Sequence, residues 1–387
     1  MDGPVRWLED PVRLGRDGRF FRLCRWSPPC LPYLATALCG REDARGTGVL
    51  SPVPAPGEEA GKPAIMLALA TSVGCFRCRS KVVGAIAFPD FLPREVEEIK
   101  DPDARELARR MQRLPVKVSF SKSSIMSSCV KPLQQSGSKP VVLLHGFDSS
   151  LLEWRYTFPL LENSGLETWA LDILGWGFSG LETLPSCNVA AKREHLYQFW
   201  QLHIREPMML VGPSLGAATA IDFAAAYPEA VSKLVLIDAS VYAEGTGDLA
   251  KLPRSLAYAG VSILKSVPLR LYANFLTFNN VPYWTFFDWA KIGRLHCLLP
   301  WWEDATVDFM ISGGYNVSAQ IKEIKKKTLI IWGEKDRVIS STQALRLHSE
   351  LQGSILHQIP GCGHLPHVEE PSIVSKLIVE FAQCSLS

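Results

Sequence analysis

The sequence predicts an α/β fold: a doubly wound, mostly parallel sheet with a helical cap. Short unbroken apolar runs recur at VVLL (141–144), MMLV (208–211), LVLI (234–237) and TLIIW (328–332). Such runs suit parallel strands buried on both faces. Stretches of helical character separate them, as parallel crossovers require. Finally, Gly212-Pro213-Ser214-Leu215-Gly216 joins an apolar strand directly to the small-residue stretch AATAIDFAAAY. That is G-x-S-x-G in a strand–turn–helix context.

Taken in order, residues 1–65 hold nine Pro and eight Gly with balanced charge and no periodicity, and read as a disordered leader. Residues 66–88 carry Arg77, Arg79 and Lys81 but no acid and are rich in Ser, Ala and Val, so 66–90 reads as an organelle transit segment. The leader leaves the start codon open between Met1 and Met66. An N-terminal helical extension is expected over 91–115. There Asp101-Pro102 caps a helix with Ala104, Leu107, Ala108, Met111 and Leu114 on one face. The main domain, 116–387, is expected to begin with strands Val116–Phe120 and Val141–Leu144, helix Leu151–Leu161, strand Thr168–Ile173 and helix Ala191–His203. The strand of the G-x-S-x-G turn, helix 214–227 and strand Leu234–Ile237 follow. The alternation stops between about 241 and 325, where YANFLTFNNVPYWTFFDW and LLPWW crowd aromatics together. This insertion is expected to be a helical cap over the site. Strand Thr328–Trp332, a strand in SILHQIP and an amphipathic helix Ser372–Phe381 complete the pattern.

A strand-to-helix turn this tight brings backbone against backbone, so Gly212 and Gly216 are expected for steric reasons. It would hold the Ser214 hydroxyl exposed at the end of the sheet. A serine needs a base, and the base needs an orienting acid. Downstream, Asp336 follows strand Thr328–Trp332, and His364 follows the Gly361-Cys362-Gly363 turn. The blocks VVLLHGF (141–147), DILGWGFSG (172–180), GPSLG (212–216), WGEKD (332–336) and GHLPHVEEP (363–371) resemble those of the α/β-hydrolase superfamily, in the family's order, over residues 138–384. The resemblance extends to plant plastid-type serine hydrolases, and to the haloalkane dehalogenase and epoxide hydrolase branch with Ser in place of the carboxylate nucleophile.

The resemblance implies Ser214 as nucleophile, Asp336 as acid and His364 as base. Backbone N–H groups of Phe147 and Leu215 would form the oxyanion hole. His367 competes with His364 by proximity. Asp238 competes with Asp336, because some relatives place the acid after that earlier strand; its alternative work would be hydrogen-bonding the first residues of the cap. Glu334 reads as a solvated turn residue, His145 as a brace for its loop, and Asp172 as structural. The serine also excludes displacement at an sp³ carbon, which needs a carboxylate nucleophile. It favours an ester or related acyl substrate, with carbon–carbon hydrolysis or ligand perception with vestigial turnover as alternatives.

Net charge of +2 and the lack of a basic stripe give no nucleic-acid signal. No apolar run approaches the roughly 18 residues of a membrane span. The ten cysteines show no metal-ligand spacing, and Cys75-Phe-Arg-Cys78 lacks a second pair, so no metal or other cofactor is implied and a reducing compartment is expected. The aromatic cap points to a small apolar acyl or ring-bearing substrate. The leader points to the chloroplast, with cytoplasm or mitochondrion as alternatives. Oligomeric state is not readable.

Overall fold

The computed structural model describes residues 87–133, 137, 139–242, 251 and 253–384. The leader, most of the transit segment and Cys75/Cys78 lie outside them. The strands are β1 Gln112–Val116, β2 Ile125–Val130, β3 Val141–Leu144, β4 Thr168–Leu171, β5 Met208–Pro213, β6 Val231–Ile237, β7 Thr328–Gly333 and β8 Ile355–Ile359. They form one eight-stranded sheet in the order β1-β2-β4-β3-β5-β6-β7-β8. From β4 onward every pairing is parallel, while β1 and β2 run antiparallel at one edge.

The helices are α1 Pro102–Arg109, α2 Thr157–Asn163, α3 Val189–Phe199, α4 Leu215–Ala226, α5 Arg254–Leu264, α6 Val267–Thr277, α7 Tyr283–Leu295, α8 Trp302–Ile311, α9 Ser318–Ile321, α10 Ser341–Glu350, α11 Pro366–Glu369 and α12 Pro371–Gln383. Alternation along each strand divides the core between the two faces of the sheet. Val142 and Leu144 of β3 pack with α3, α4 and α10, whereas Val141 and Leu143 pack with α1, α2 and α12. Helices α5–α9 leave the chain between β6 and β7 and form the cap.

Several elements depart from the sequence expectation. The strand expected at Val116–Phe120 lies earlier, at β1, and β2 was not anticipated. Pro115 is tolerated in β1 because this strand is at the sheet edge. In β2, Ser127 and Ser128 are buried, and Ser128 donates a hydrogen bond to the buried Asp172 carboxylate. A strand satisfied by side-chain hydrogen bonds carries no apolar run. Helix α1 starts where expected, with Asp101 accepting from the amides of Asp103 and Ala104. It stops at Arg109, so Met111 and Leu114 belong to the turn and to β1. Asp101 also holds Arg155 at 2.6 Å, tying the extension to the core. The helix expected at Leu151–Leu161 is a 3₁₀ turn, Leu151–Trp154, followed by α2.

Candidate active site

The site sits where β3, β5 and β7 end. At the end of β5, Ser214 takes φ 49° and ψ −117°. L residues rarely adopt such a backbone, and surrounding structure must enforce it. The enforcement is visible. The Ser214 amide donates to Ile237 O at 2.8 Å and its carbonyl accepts from Ser240 N at 3.1 Å. A Cβ on Gly212 would overlap the Gly216 carbonyl group, and one on Gly216 would press into His145 O. Thus one glycine lets the turn close, while the other lets it approach the loop after β3.

That loop is braced from below. Buried His145 contacts Gly146 O through Nδ1 at 2.7 Å and accepts from Ile173 N through Nε2 at 3.0 Å. Glu153 Oε2 accepts from Gly146 N at 3.2 Å, and Oε1 meets His367 Nε2 at 2.9 Å. Burial, the largest influence on Glu153, would raise its pKa. Its hydrogen bond to His367 and the imidazole's charge bring it below the ordinary carboxylate value. His367 therefore serves the loop from the far side of Glu153. Asp172 is a hub, accepting from Leu151 N at 2.7 Å and Phe178 N at 2.8 Å besides Ser128.

His364 and Asp336 meet directly, Nδ1 to Oδ2 at 2.8 Å. Asp336 Oδ1 is held by Val338 N at 2.7 Å and Ile339 N at 3.0 Å. Burial alone would raise the Asp336 pKa, but His364 and these amides carry it below the ordinary value. Asp336 is thus the carboxylate acceptor and Nδ1–H the donor, which leaves the Nε2 lone pair free for a proton. The two loops interlock because a Cβ on Gly333 would overlap Gly363 O. The cap joins them, since His364 N donates to Thr277 O at 2.7 Å.

Among the described residues, Asp238 makes no hydrogen bond to the first residues of the cap, contrary to the sequence expectation. Its Oδ1 accepts from Gly333 N at 2.9 Å. Its carboxyl also lies against Asp336, with ligand atoms of Asp238, Asp336 and His364 all within 4.8 Å of one another. Oδ2 receives no N–H or O–H from other residues. A contact between two carboxyls is a hydrogen bond only with a proton between them. Burial first, then the Asp336 charge, raise the Asp238 pKa well above its ordinary value, so of the two acids Asp238 is the one that favours the protonated form. Sequence order placed both acids after the serine but could not show that they touch. Glu334 is exposed, as expected of a turn residue, yet its Oε2 accepts from Gly361 N at 2.9 Å and steadies the turn before His364.

Ser214, His364, Gly146 and Phe147 line one cavity of about 210 Å³. Leu215 opens α4 beside Ser214. The opposite wall is apolar and comes from the cap: Leu264, Leu269, Ala273, Leu276, Trp289 and Ile292. Arg270 also lines the cavity, and nothing in the local sequence pattern singles it out. Arg270 of α6 reaches Asp148 Oδ2 at 2.6 Å, while Asp148 Oδ1 accepts from Trp302 Nε1 at 2.8 Å. Asp148, at φ 48°, directly follows Phe147, so this cluster ties α6 and α8 of the cap to the loop. Asp148, His296 and Cys297 have spacing that could hold a cation. The Arg270 guanidinium already sits among them, 2.9 Å from Cys297 Sγ.

The profile of a family described as "Alpha/beta hydrolase family" matches residues 141–377. The chain belongs to the alpha/beta hydrolase family. It is 58% identical over 302 residues to the Arabidopsis thaliana alpha/beta hydrolase domain-containing protein VTE7, covering 77% of this chain and 92% of that one. It is 29% identical over 263 residues to an Escherichia coli 2-hydroxy-6-oxononadienedioate/2-hydroxy-6-oxononatrienedioate hydrolase, covering 63% and 87%. An esterase from Thermogutta terrifontis superposes with a TM-score of 0.58 at 17% identity, covering 70% of this chain and 97% of that one, and shares the fold. In this alpha/beta hydrolase, no helix of the described residues is long and apolar enough to cross a membrane.

Proposed function

We propose that the protein is a serine hydrolase that cleaves an ester or related acyl bond of a small apolar substrate through an acyl-enzyme. The observation that carries the reading is the convergence of strained Ser214 and Asp336-bound His364 on one cavity. In this reading, Ser214 Oγ attacks the substrate carbonyl while its proton passes to His364 Nε2. The tetrahedral oxyanion is received by the backbone N–H groups of Phe147 and Leu215. The proton then goes to the departing alkoxide, leaving an acyl-Ser214 ester. Water, deprotonated by the same imidazole, releases the acid and restores the serine. Asp336 keeps the imidazole in the Nδ1–H tautomer and balances its transient charge.

The apolar cap wall supports an apolar acyl or ring-bearing substrate over a sugar or nucleotide. Fluorophosphonate labelling together with multiple turnover of a short nitrophenyl ester tests the reading. Absence of both would overturn it, and a single slow turnover would favour ligand perception. The 29% identity to a hydrolase of an oxo-dienedioate favours carbon–carbon hydrolysis as the second reading. Cleavage of a vinylogous diketone in preference to every ester in a chain-length panel would select it. The acid-free, basic 66–88 segment supports import into a plastid as part of the proposal. A fluorescent fusion of residues 1–95 that stays in the cytosol of plant cells would remove that part.

A further inference from the structure

The cap has two contrasting sides. On α7, Phe286 and Trp289 point inward and pack their rings with Phe278 at centroid distances of 6.1 and 5.1 Å. Tyr283, Trp284 and Phe287, at spacing i, i+1 and i+4, share the outer side and are 82%, 75% and 60% exposed. Helix α6 packs beside α7, with Asn274 Nδ2 donating to Phe286 O at 2.9 Å. Its Tyr272 and Phe275 are exposed too, as is Ile263 of α5. Single exposed apolar residues need no explanation, but a shared face of several large aromatics marks an interaction surface.

Charge narrows the occupant. Residues 254–295 contain Arg254, Lys265, Arg270, Lys291 and Arg294 against a single acid, Asp288. Arg270 is largely covered and is paired with Asp148. Among the described residues, Lys265 and Lys291 make long surface pairs, 3.8 Å to Glu303 and 3.7 Å to Glu98, and such pairs are weak. The outer face therefore combines Trp, Tyr and Phe with an excess of cations. Rings with a polar tip settle at the headgroup level of a bilayer, and basic side chains are attracted to anionic lipid. The inner faces of the same helices form the apolar wall of the Ser214 cavity.

We infer that the outer face of α5–α7 docks on an anionic lipid bilayer and that the acyl substrate is taken from that bilayer beneath the cap. The surface itself stands on exposure and charge. Only the identity of the substrate rests on the acyl-hydrolase reading.

The test is flotation of the full chain with vesicles of phosphatidylcholine alone or with phosphatidylglycerol added, comparing wild type with the Trp284→Ser, Phe287→Ser double variant. Neither residue lines the cavity, and any binding by the leader is common to both proteins. Wild type is expected to float with the anionic vesicles, less so with neutral ones, and to be released by salt. The double variant should lose tenfold or more of that binding and of its turnover of a long-chain ester held in the vesicles. Its turnover of a soluble short ester should be unchanged. Wild type left behind by both vesicle types overturns the inference, as does a double variant that floats equally well. A double variant that instead converts a solution dimer to monomer, with no vesicle binding by wild type, assigns the face to a second copy and also overturns it. If vesicle binding depends on Trp284 and Phe287 but no ester is turned over, the docking surface holds and the acyl-hydrolase reading fails.

Discussion

The strand-end corner and the outer cap are built on opposite rules. At the corner, Ser214, Asp238, His364 and Glu153 are almost entirely buried, and backbone amides or paired side chains hold the carboxyls. Each such group is costly to leave unpaired, so each fixes its neighbour. The outer cap buries little and exposes large aromatics. One region tolerates almost no change, whereas the other has few internal partners to lose. Chemistry that depends on fractions of an ångström belongs in the first, and the surface docking inferred above suits the second.

The comparison is broken most severely at Ser214. Ser214→Ala should leave the fold intact and lower ester turnover by roughly 10⁶-fold, as with removal of a triad serine elsewhere. Full fluorophosphonate labelling of this variant would detach the corner from the chemistry altogether. Asp336→Asn comes next, with an expected loss of about 10⁴-fold in kcat, because the amide cannot hold the imidazole in its working tautomer. KM should change little, since Asp336 does not line the cavity. A loss smaller than tenfold would mean that Asp238, already within reach of His364, takes over as acid.

Stability sharpens the same contrast. Glu153→Ala strands His367 Nε2 and Gly146 N–H in the interior. Breaking a buried pair of this kind costs about 3–5 kcal/mol. On the outer cap, Tyr283→Ser should stay within about 0.5 kcal/mol of wild type. Urea midpoints of the two variants measure the difference. Equal midpoints would show that Glu153 does not carry the loop.

The corner was more legible in the sequence than its surroundings, for physical reasons. A parallel strand buried on both faces has to be apolar throughout, so β3, β5, β6 and β7 stand out as runs. The G-x-S-x-G turn has to have Gly where backbone meets backbone. Edge strand β1 and its neighbour β2 obey neither rule. Pro115 suits the edge position, and Ser128 hydrogen-bonds Asp172 where an apolar side chain would otherwise stand. Helix α10 was also missed; only Ala344 and Leu347 of its ten residues are buried. The Glu153–His367 pair spans 214 residues of chain, and the Arg270–Asp148 pair spans 122. No local spacing encodes either. The cap was visible as an aromatic-rich interruption, but which rings face in and which face out depends on how α6 and α7 pack.

The smallest effect concerns Asp238, and it separates a shared proton from a plain structural hydrogen bond. Asp238 is buried, and its folded pKa is raised well above the ordinary 3.8. Above that value the unfolded chain ionises this carboxyl while the folded chain keeps its proton. Its contribution to stability is therefore complete below about pH 3.8 and is lost as pH rises through the folded value. Asp336 has the opposite sign. Its folded pKa is depressed, so its contribution is present above the ordinary value and lost as pH falls through the folded one. The two titrate as a pair. Asn at 238 can accept from Gly333 N and donate to Asp336 as the protonated acid does, but it cannot ionise. Asp238→Asn should therefore keep most of the wild-type turnover near neutrality and lose the decline in melting temperature that Asp238 causes as pH rises. Asp238→Ala, which leaves Gly333 N and Asp336 short of a partner, should cost about 1–3 kcal/mol at every pH. Melting curves of the three proteins between pH 5 and 9 decide the matter. If Asp238→Asn declines with pH as wild type does, no proton is shared at this corner.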